Sequence, residues 1–501
     1  MVAGGPSGPS TVISQGVRTS ARRAPRIALP AVLCVVAWAA ACARPAAPPP
    51  APAAAASAAA DPAARAEQAA LYALPLVIMD LTREQFFADP IAVDATPGRF
   101  LHIPILGNPT FRAVVRPNVD TLYSTAWLEL GDEPVLLTLP PSNGRYFLVQ
   151  CMDAWTNVFA APGIRTLGDR AARYAIVGPG WHGEVPAGVE LVRSPTRMAW
   201  LLGRIYVRDP ADLGAARAFQ RQLDLRPASR AGDAAWSGVY PHPRDPSAPP
   251  RRIMRELVRA LGPEALFERF ARLTAGNPPA PDDAPFVRDV LAPLGLAPGR
   301  ALRWASLSEA SRSALTAGLE RALHALEDRA EMDRRRAVTP TGWSSLGDVA
   351  IGAFGTSYAA RAGVAAIGLG ANLREDAIYL NANVDAGGRP LDGGQRYRLR
   401  FAADQAPPVR AFWSVTLYDE QGYLVANPAE RYAVKSGDDP AREPDGSLVI
   451  YLQPDDPGPA HRANWLPTPD HQRFELSLRA YWPGEPLLRG AWIPPAVTPA
   501  P

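Results

Sequence analysis

RPNVDTLYSTAWLEL, Arg116–Leu130, decides how the rest of the chain is read. From Leu122 onward it reads as an ordinary strand, with Tyr123 and Trp127 among leucines. Its first half sets Arg116, Asn118, Asp120 and Thr121 beside Tyr123. That is either a catalytic or binding cluster at the start of a strand, or the turn that opens it.

A second copy bears on the choice. Asp120-Thr-Leu-Tyr123 recurs as Asp376-Ala-Ile-Tyr379, each opening a strand. Each is followed by a strand ending in aspartate, Asp153 ("YFLVQCMD") and Asp419 ("FWSVTLYD"). Further on, Pro195 precedes Arg204-x-Tyr206, and Pro469 precedes Arg479-x-Tyr481. Four matches in one order indicate a duplicated domain rather than a short repeat. Around them run short apolar or alternating segments, Val135–Leu139, Tyr146–Met152, Tyr174–Val177 and Trp200–Val207, separated by Pro, Gly, Asn and Asp. That punctuation is typical of sandwiches and barrels.

Other segments have helical spacing. Ala64–Phe87 reads as a helix interrupted near Pro75. Arg251–Leu273 and Ser306–Arg336 follow, the second opened by a Ser306-x-x-Glu309 capping box. A Gly/Ala-rich helix spans about Asp348 to Gly368; Arg361 inside it argues against a membrane span. The expected fold is α+β and multi-domain: two jelly-roll-like β-sandwich domains from an internal duplication, at 113–210 and 371–496. Helical segments precede the first, at 66–112, and separate the two, at 211–370.

Two long blocks carry a family resemblance. Arg116–Leu130, "CMDAWTNVF" (Cys151–Phe159) and "AIVGPGWHG" resemble domain of unknown function 1254. "YLNANVDAGGRPLDGGQRYRLRF", "AFWSVTLYDEQGYLVANPAERY", "DGSLVIYLQ" and "ANWLPTP" resemble domain of unknown function 1214. The resemblance implies β-sandwich architecture in an exported bacterial protein. It supplies no activity and no catalytic residues.

The leader gives an address. Arg18, Arg22, Arg23 and Arg26 precede the apolar run Ile27–Ala40, and small residues lead to Cys42. This is the layout of a secretory signal over 1–42 with a lipobox-like end, although Ala39 stands where Leu is preferred. Lipidation of Cys42 would tether the protein to a membrane, as a periplasmic or outer-membrane-associated lipoprotein; cleavage at Ala39-x-Ala41 would release it. The Pro/Ala-rich stretch over 43–65 would be a semi-stiff spacer, roughly 3 Å per residue where polyproline-like. The chain of 501 residues carries 52 basic and 49 acidic side chains. Four arginines and no acids precede Cys42, so 48 and 49 remain, net −1. A near-neutral body has no electrostatic reason to bind nucleic acid. Of three cysteines only Cys151 lies in the body, so no internal disulfide is available.

Candidate chemistry is sparse. Asp120 and Asp153 at adjacent strand ends offer an acid and a base for hydrolysis of a glycan or other ligand. Their recurrence as Asp376 and Asp419 favours a structural role instead. Arg116 and Asn118, with Tyr123, offer an anion-binding set or internal pairing. Trp155 ("DAWTN") and Trp181 ("GPGWHG") fall in loops, where an exposed ring would bind a sugar; Trp127 and Trp200 lie within strands and read as core. The six histidines and Cys151 have no metal-ligand spacing, and no glycine loop for a phosphate or dinucleotide cofactor is present. The sequence leaves three functions open: an envelope protein binding a glycan or small polar ligand, a hydrolase using Asp120 and Asp153, or a structural component.

Overall fold

A computed structural model describes residues 61–112, 115–243, 254–327, 337–347 and 349–500. The expected signal, Cys42 and nearly all of the expected spacer lie outside these residues. The spacer's last few positions are already helical. Asp61 accepts the Ala63 N–H (2.9 Å) and Pro62 takes the first turn of helix α1, Pro62–Ala88. Pro75 does not interrupt α1. The helix is buried almost all round from Ala66 to Leu81, so packing outweighs the one backbone bond that proline forfeits.

The first sandwich uses β1 (Leu101–Ile103), β2 (Thr121–Glu129), β3 (Val135–Leu139), β4 (Phe147–Asp153), β5 (Val158–Ala160), β6 (Ala172–Val177), β7 (Glu190–Arg193), β8 (Met198–Tyr206) and β9 (Asp224–Pro227). A five-stranded sheet in the order β1-β2-β8-β4-β5 packs on a four-stranded sheet, β7-β6-β3-β9. The second sandwich uses β10 (Ala337–Val338), β11 (Trp343–Ser345), β12 (Ala377–Ala382), β13 (Tyr397–Phe401), β14 (Val409–Asp419), β15 (Ala433–Lys435), β16 (Leu448–Gln453), β17 (Trp465–Pro467), β18 (Phe474–Pro483) and β19 (Val497–Pro499). Its sheets run β10-β11-β12-β18-β14-β15 and β17-β16-β13-β19. Apart from β10 the two strand orders are identical. Both hold the same exception to antiparallel pairing, β6 with β7 and β16 with β17. Each sandwich extends beyond the expected limits of 113–210 and 371–496, because an edge strand precedes it and a short Pro-containing strand closes it.

Helix α2 (Leu213–Gln220) precedes β9 within the first sandwich, α3 (Met254–Thr274) and α4 (Glu309–Glu327) lie between the sandwiches in sequence, and α5 (Tyr358–Gly368) follows β11 within the second. The helix read as Arg251–Leu273 is broken at Gly262 (φ 69°), ahead of Pro263. Ser308, not Ser306, caps α4 by accepting the Ser311 N–H (3.0 Å). Ser306 sits in the preceding turn. Helix α5 starts ten residues later than expected, and Asp348 lies outside the described residues. Helices α3, α4 and α5 pack against α1, and α4 crosses it closely at Gly318. A Cβ there would stand 2.4 Å from the Ala66 carbonyl carbon. Among the described residues no helix is long and apolar enough to cross a membrane.

Side-chain alternation along β8 explains how these layers meet. Ala199, Leu201 and Ile205 point into the first sandwich's core. Met198 and Leu202 point the other way, into a core shared with the helices, and Trp200 packs against it. Arg204 and Tyr206 continue that outer face toward the second sandwich. There Tyr206 stacks on Phe412 (3.6 Å between centroids), and Phe412 stacks on Tyr481 (4.1 Å). One sheet face therefore serves both the helical layer and the interface between the copies.

Candidate functional site

The residues ahead of β2 form the join between the sandwiches. Arg116 forms an ion pair with Glu475 (2.7 Å). Tyr418 donates to the Pro117 carbonyl (2.7 Å), and Asn118 Nδ2 donates to the Tyr481 hydroxyl (2.8 Å). Asn118 Oδ1 accepts the N–H groups of Asp120 and Thr121, which fixes the turn into the strand. Asp120 Oδ2 accepts from Ser414 (2.7 Å) and Tyr481 (3.1 Å). The opening motif is thus neither a simple turn nor a catalytic cluster. It clamps one copy of the domain to the other. Its counterpart Asp376 does the reciprocal job, holding Arg165 of the first sandwich through Nε and Nη2 (2.5 and 3.1 Å).

Asp120 and Asp153 do not converge. Asp120 lies level with Val207, whose N–H it accepts, and Asp153 lies opposite Ala199 at the other end of β8. At about 3.3 Å per residue the two are about 25 Å apart, well beyond any paired acid–base geometry. Asp153 accepts the N–H groups of Trp155 and Asn157 (2.9 Å each) and Asn157 Nδ2 (3.1 Å). It organises its own turn. Burial pushes its carboxyl up to about 6, against the hydrogen bonds that oppose the shift.

The loop tryptophans are not exposed platforms. Trp155 is 3% exposed, packs on Tyr72 (4.9 Å) and donates to the Pro278 carbonyl (3.0 Å). Helices that sequence reasoning could not place over this loop bury it. Trp181 is 8% exposed, with Arg193 over its ring. Cys151 is free and buried, which pushes its thiol up to about 12 and removes it as a nucleophile. Among the described residues no cluster of His, Cys, Asp and Glu could hold a metal ion.

What the fold does build is a cavity of about 1940 Å³ bounded by both sandwiches and the helices. Ligand pockets usually run to about 300–1,000 Å³, so there is room for an extended molecule. Arg116, Asn118 and Tyr123 line it; Trp155 and Trp181 do not. Trp127 and Trp200, stacked at 5.0 Å with an interplanar angle of 5°, also reach its wall. Much of the rest is aliphatic, including Leu74, Ile78, Leu202, Leu323 and Leu369. Against that stand two buried arginines at equivalent repeat positions, Arg204 and Arg479. Each lies over the ring of the tyrosine opposite it in register: Arg204 over Tyr123 (5.0 Å) and Arg479 over Tyr379 (5.8 Å). The Arg-x-Tyr repeat was visible in sequence. Its meaning, a buried charge where the two copies meet, was not.

Two family models match the chain: protein of unknown function DUF1254 over residues 97–227 and DUF1214 over residues 376–485. The chain carries both domains. The first match coincides with the first sandwich, and the second covers most of the second sandwich from β12 to β18. The crystal structure of the VPA0106 protein from Vibrio parahaemolyticus is similar over 88% of this chain and 100% of that one, with TM-score 0.65 and 22% identity. That likeness supports the fold of the DUF1254–DUF1214 pair and nothing finer. An uncharacterized protein from Burkholderia cenocepacia aligns over 89% of this chain and 96% of its own, at 14% identity and TM-score 0.41. At that score it carries no argument. No curated protein matches.

Proposed function

We propose that this DUF1254–DUF1214 protein binds a small amphipathic molecule in the cavity between its two sandwiches, as an exported protein tethered through Cys42. The observation that carries the reading is the cavity itself: large, walled by aliphatic and tryptophan side chains, with arginine, asparagine and tyrosine at the join of the copies. Such a lining favours a ligand with a long apolar part over a glycan, whose hydroxyls would meet few partners along those walls. The leader and the Pro/Ala-rich spacer supply the tether, and the near-neutral mature charge fits a small-molecule partner better than nucleic acid. Hydrolysis by Asp120 and Asp153 is not carried forward, given their separation.

The test is native mass spectrometry of the full protein incubated with oleate. Wild type should retain one adduct per chain. Ala366→Trp, which fills the cavity from α5, should retain none. Absence of an adduct in wild type, or equal adducts in both proteins, overturns the reading.

A further inference from the structure

The charges around the cavity are lopsided. Six arginines line it, with one glutamate and no aspartate. Several of the arginines are already neutralised: Arg116 by Glu475, Arg112 by Asp419 and Arg489 by Glu485. Arg204 and Arg479 are not. Among the described residues Arg204 donates to the Tyr123 hydroxyl (2.6 Å) and the Gly370 carbonyl (2.9 Å), and its buried Nε has no partner. Arg479 donates to the Thr416 and Tyr418 hydroxyls (2.9 and 2.6 Å) and the Arg116 carbonyl (3.0 Å). The carboxylate that offsets Arg479 at longer range is Asp120, itself tied to Ser414 and Tyr481. Asp376 lies within electrostatic reach of Arg204 but is spent on Arg165, so neither buried guanidinium group has a carboxylate bonded to it. A buried charge without a counter-charge is costly, and a fold that keeps one beside a cavity is suited to receiving the counter-charge from a ligand.

We infer that the cavity's ligand carries an anionic oxygen head, carboxylate or phosphate, held between Arg204 and Arg479, with its apolar chain along the Trp127–Trp200 wall. This inference rests on the cavity reading above and sharpens it. The duplication provides the geometry: the two arginines occupy equivalent strand positions, and Tyr379 lies within electrostatic reach of both. Guanidinium groups suit the head because each offers donors in a planar fork matched to oxyanions. Helix α5 and the Gly370 turn hold Arg204 in place through the Gly370 carbonyl.

The experiment measures displacement of a neutral apolar dye, N-phenyl-1-naphthylamine, from the full protein. Oleate, oleoyl lysophosphatidate and oleyl alcohol are compared. The acids should bind at least about tenfold more tightly than the alcohol, the usual worth of a charged hydrogen bond. Whichever acid binds more tightly identifies the head as a free carboxylate or a phosphorylated lipid. Arg204→Met and Arg479→Met should bring the acid-to-alcohol affinity ratio, taken within each variant, down to about one. The wild-type comparison stands even where a variant fails to fold. Equal binding of acids and alcohol overturns the anionic head and leaves the cavity reading intact. Failure of the dye to bind, or binding that Ala366→Trp does not block, overturns the cavity reading and this inference with it.

Discussion

The outer faces of β8 and β18 are the same strand in two copies, and they have diverged at one end only. On β8 the outward residues run Met198, Trp200, Leu202, Arg204, Tyr206; on β18 they run Glu475, Ser477, Arg479, Tyr481, with Arg473 just ahead of the strand. The Arg-x-Tyr end is common, and there the two sandwiches pack on each other. The other end is apolar in the first copy, where the helices cover it, and polar in the second. What survives duplication here is the contact surface between copies. What changes follows what each sheet later came to touch. The cavity lies where the two regimes meet, which gives it a charged floor and apolar walls.

Matched positions allow that contrast to be broken piece by piece. The largest effect is expected at Asp376→Ala. It strands Arg165, whose side chain is 23% exposed, and should cost about 3 kcal/mol in chemical denaturation, as breaking a buried pair does. Asp120→Asn keeps an acceptor for Ser414 and Tyr481 and removes only a longer-range counter-charge of Arg479, so it should cost less than Asp376→Ala. An equal cost at both sites would mean the two clamps are electrostatically alike.

The next effect is acid sensitivity lodged in the first copy. His102 is 1% exposed and hydrogen-bonded to Ser124 (2.8 Å), and burial lowers its pKa to about 4. Unfolded, it titrates near 6.5, so the unfolded chain takes up the proton first. Its contribution is complete above pH 6.5 and is lost as pH falls toward 4, on the order of 3 kcal/mol in all. Asp153 works the other way: its raised pKa of about 6 adds stability as pH falls from there toward the unfolded value of 3.8. The second sandwich has no buried histidine among its described residues; His461 and His471 are both at least partly exposed. His102→Gln should therefore flatten the decline in stability between pH 6.5 and 4, measured by urea melts at each pH. An unchanged pH profile would place the acid sensitivity elsewhere.

Smaller effects separate the two tyrosines of the shared motif. Tyr481→Phe removes the hydroxyl that donates to Asp120 and accepts from Asn118, leaving both short of a partner, and should cost about 1–3 kcal/mol. The Tyr206 hydroxyl is buried with no hydrogen-bond partner, so Tyr206→Phe should fall within about 0.5 kcal/mol of wild type, on either side. Equal costs for the pair would contradict the assignment of the polar contacts to one side of the join.

Much of the fold was legible in the sequence because short apolar runs bounded by Pro, Gly and Asn mark strands, and Val135–Leu139 matches β3 residue for residue. The duplication could be read from Asp-x-[Leu/Ile]-Tyr and Arg-x-Tyr because both motifs occupy the contact between copies. The edge and closing strands β1, β9, β11 and β19 were missed: each has three or four residues, too few for a period to show, and β9 and β19 end in proline. The site was half legible. Arg116, Asn118 and Tyr123 do line the cavity, but Trp155 in a loop reads as exposed when helices distant in sequence cover it. Arg204 and Arg479 served only to align the repeats. An arginine two residues before a tyrosine at the same place in both copies was the available signal that those faces meet something other than solvent.

The most direct test is a crystal structure of the protein with oleate. The carboxylate is expected within hydrogen-bond distance of Arg204 and Arg479, its chain passing the Trp127–Trp200 stack. Oleate bound elsewhere, or with its carboxylate turned away from both arginines into solvent, would contradict this placement.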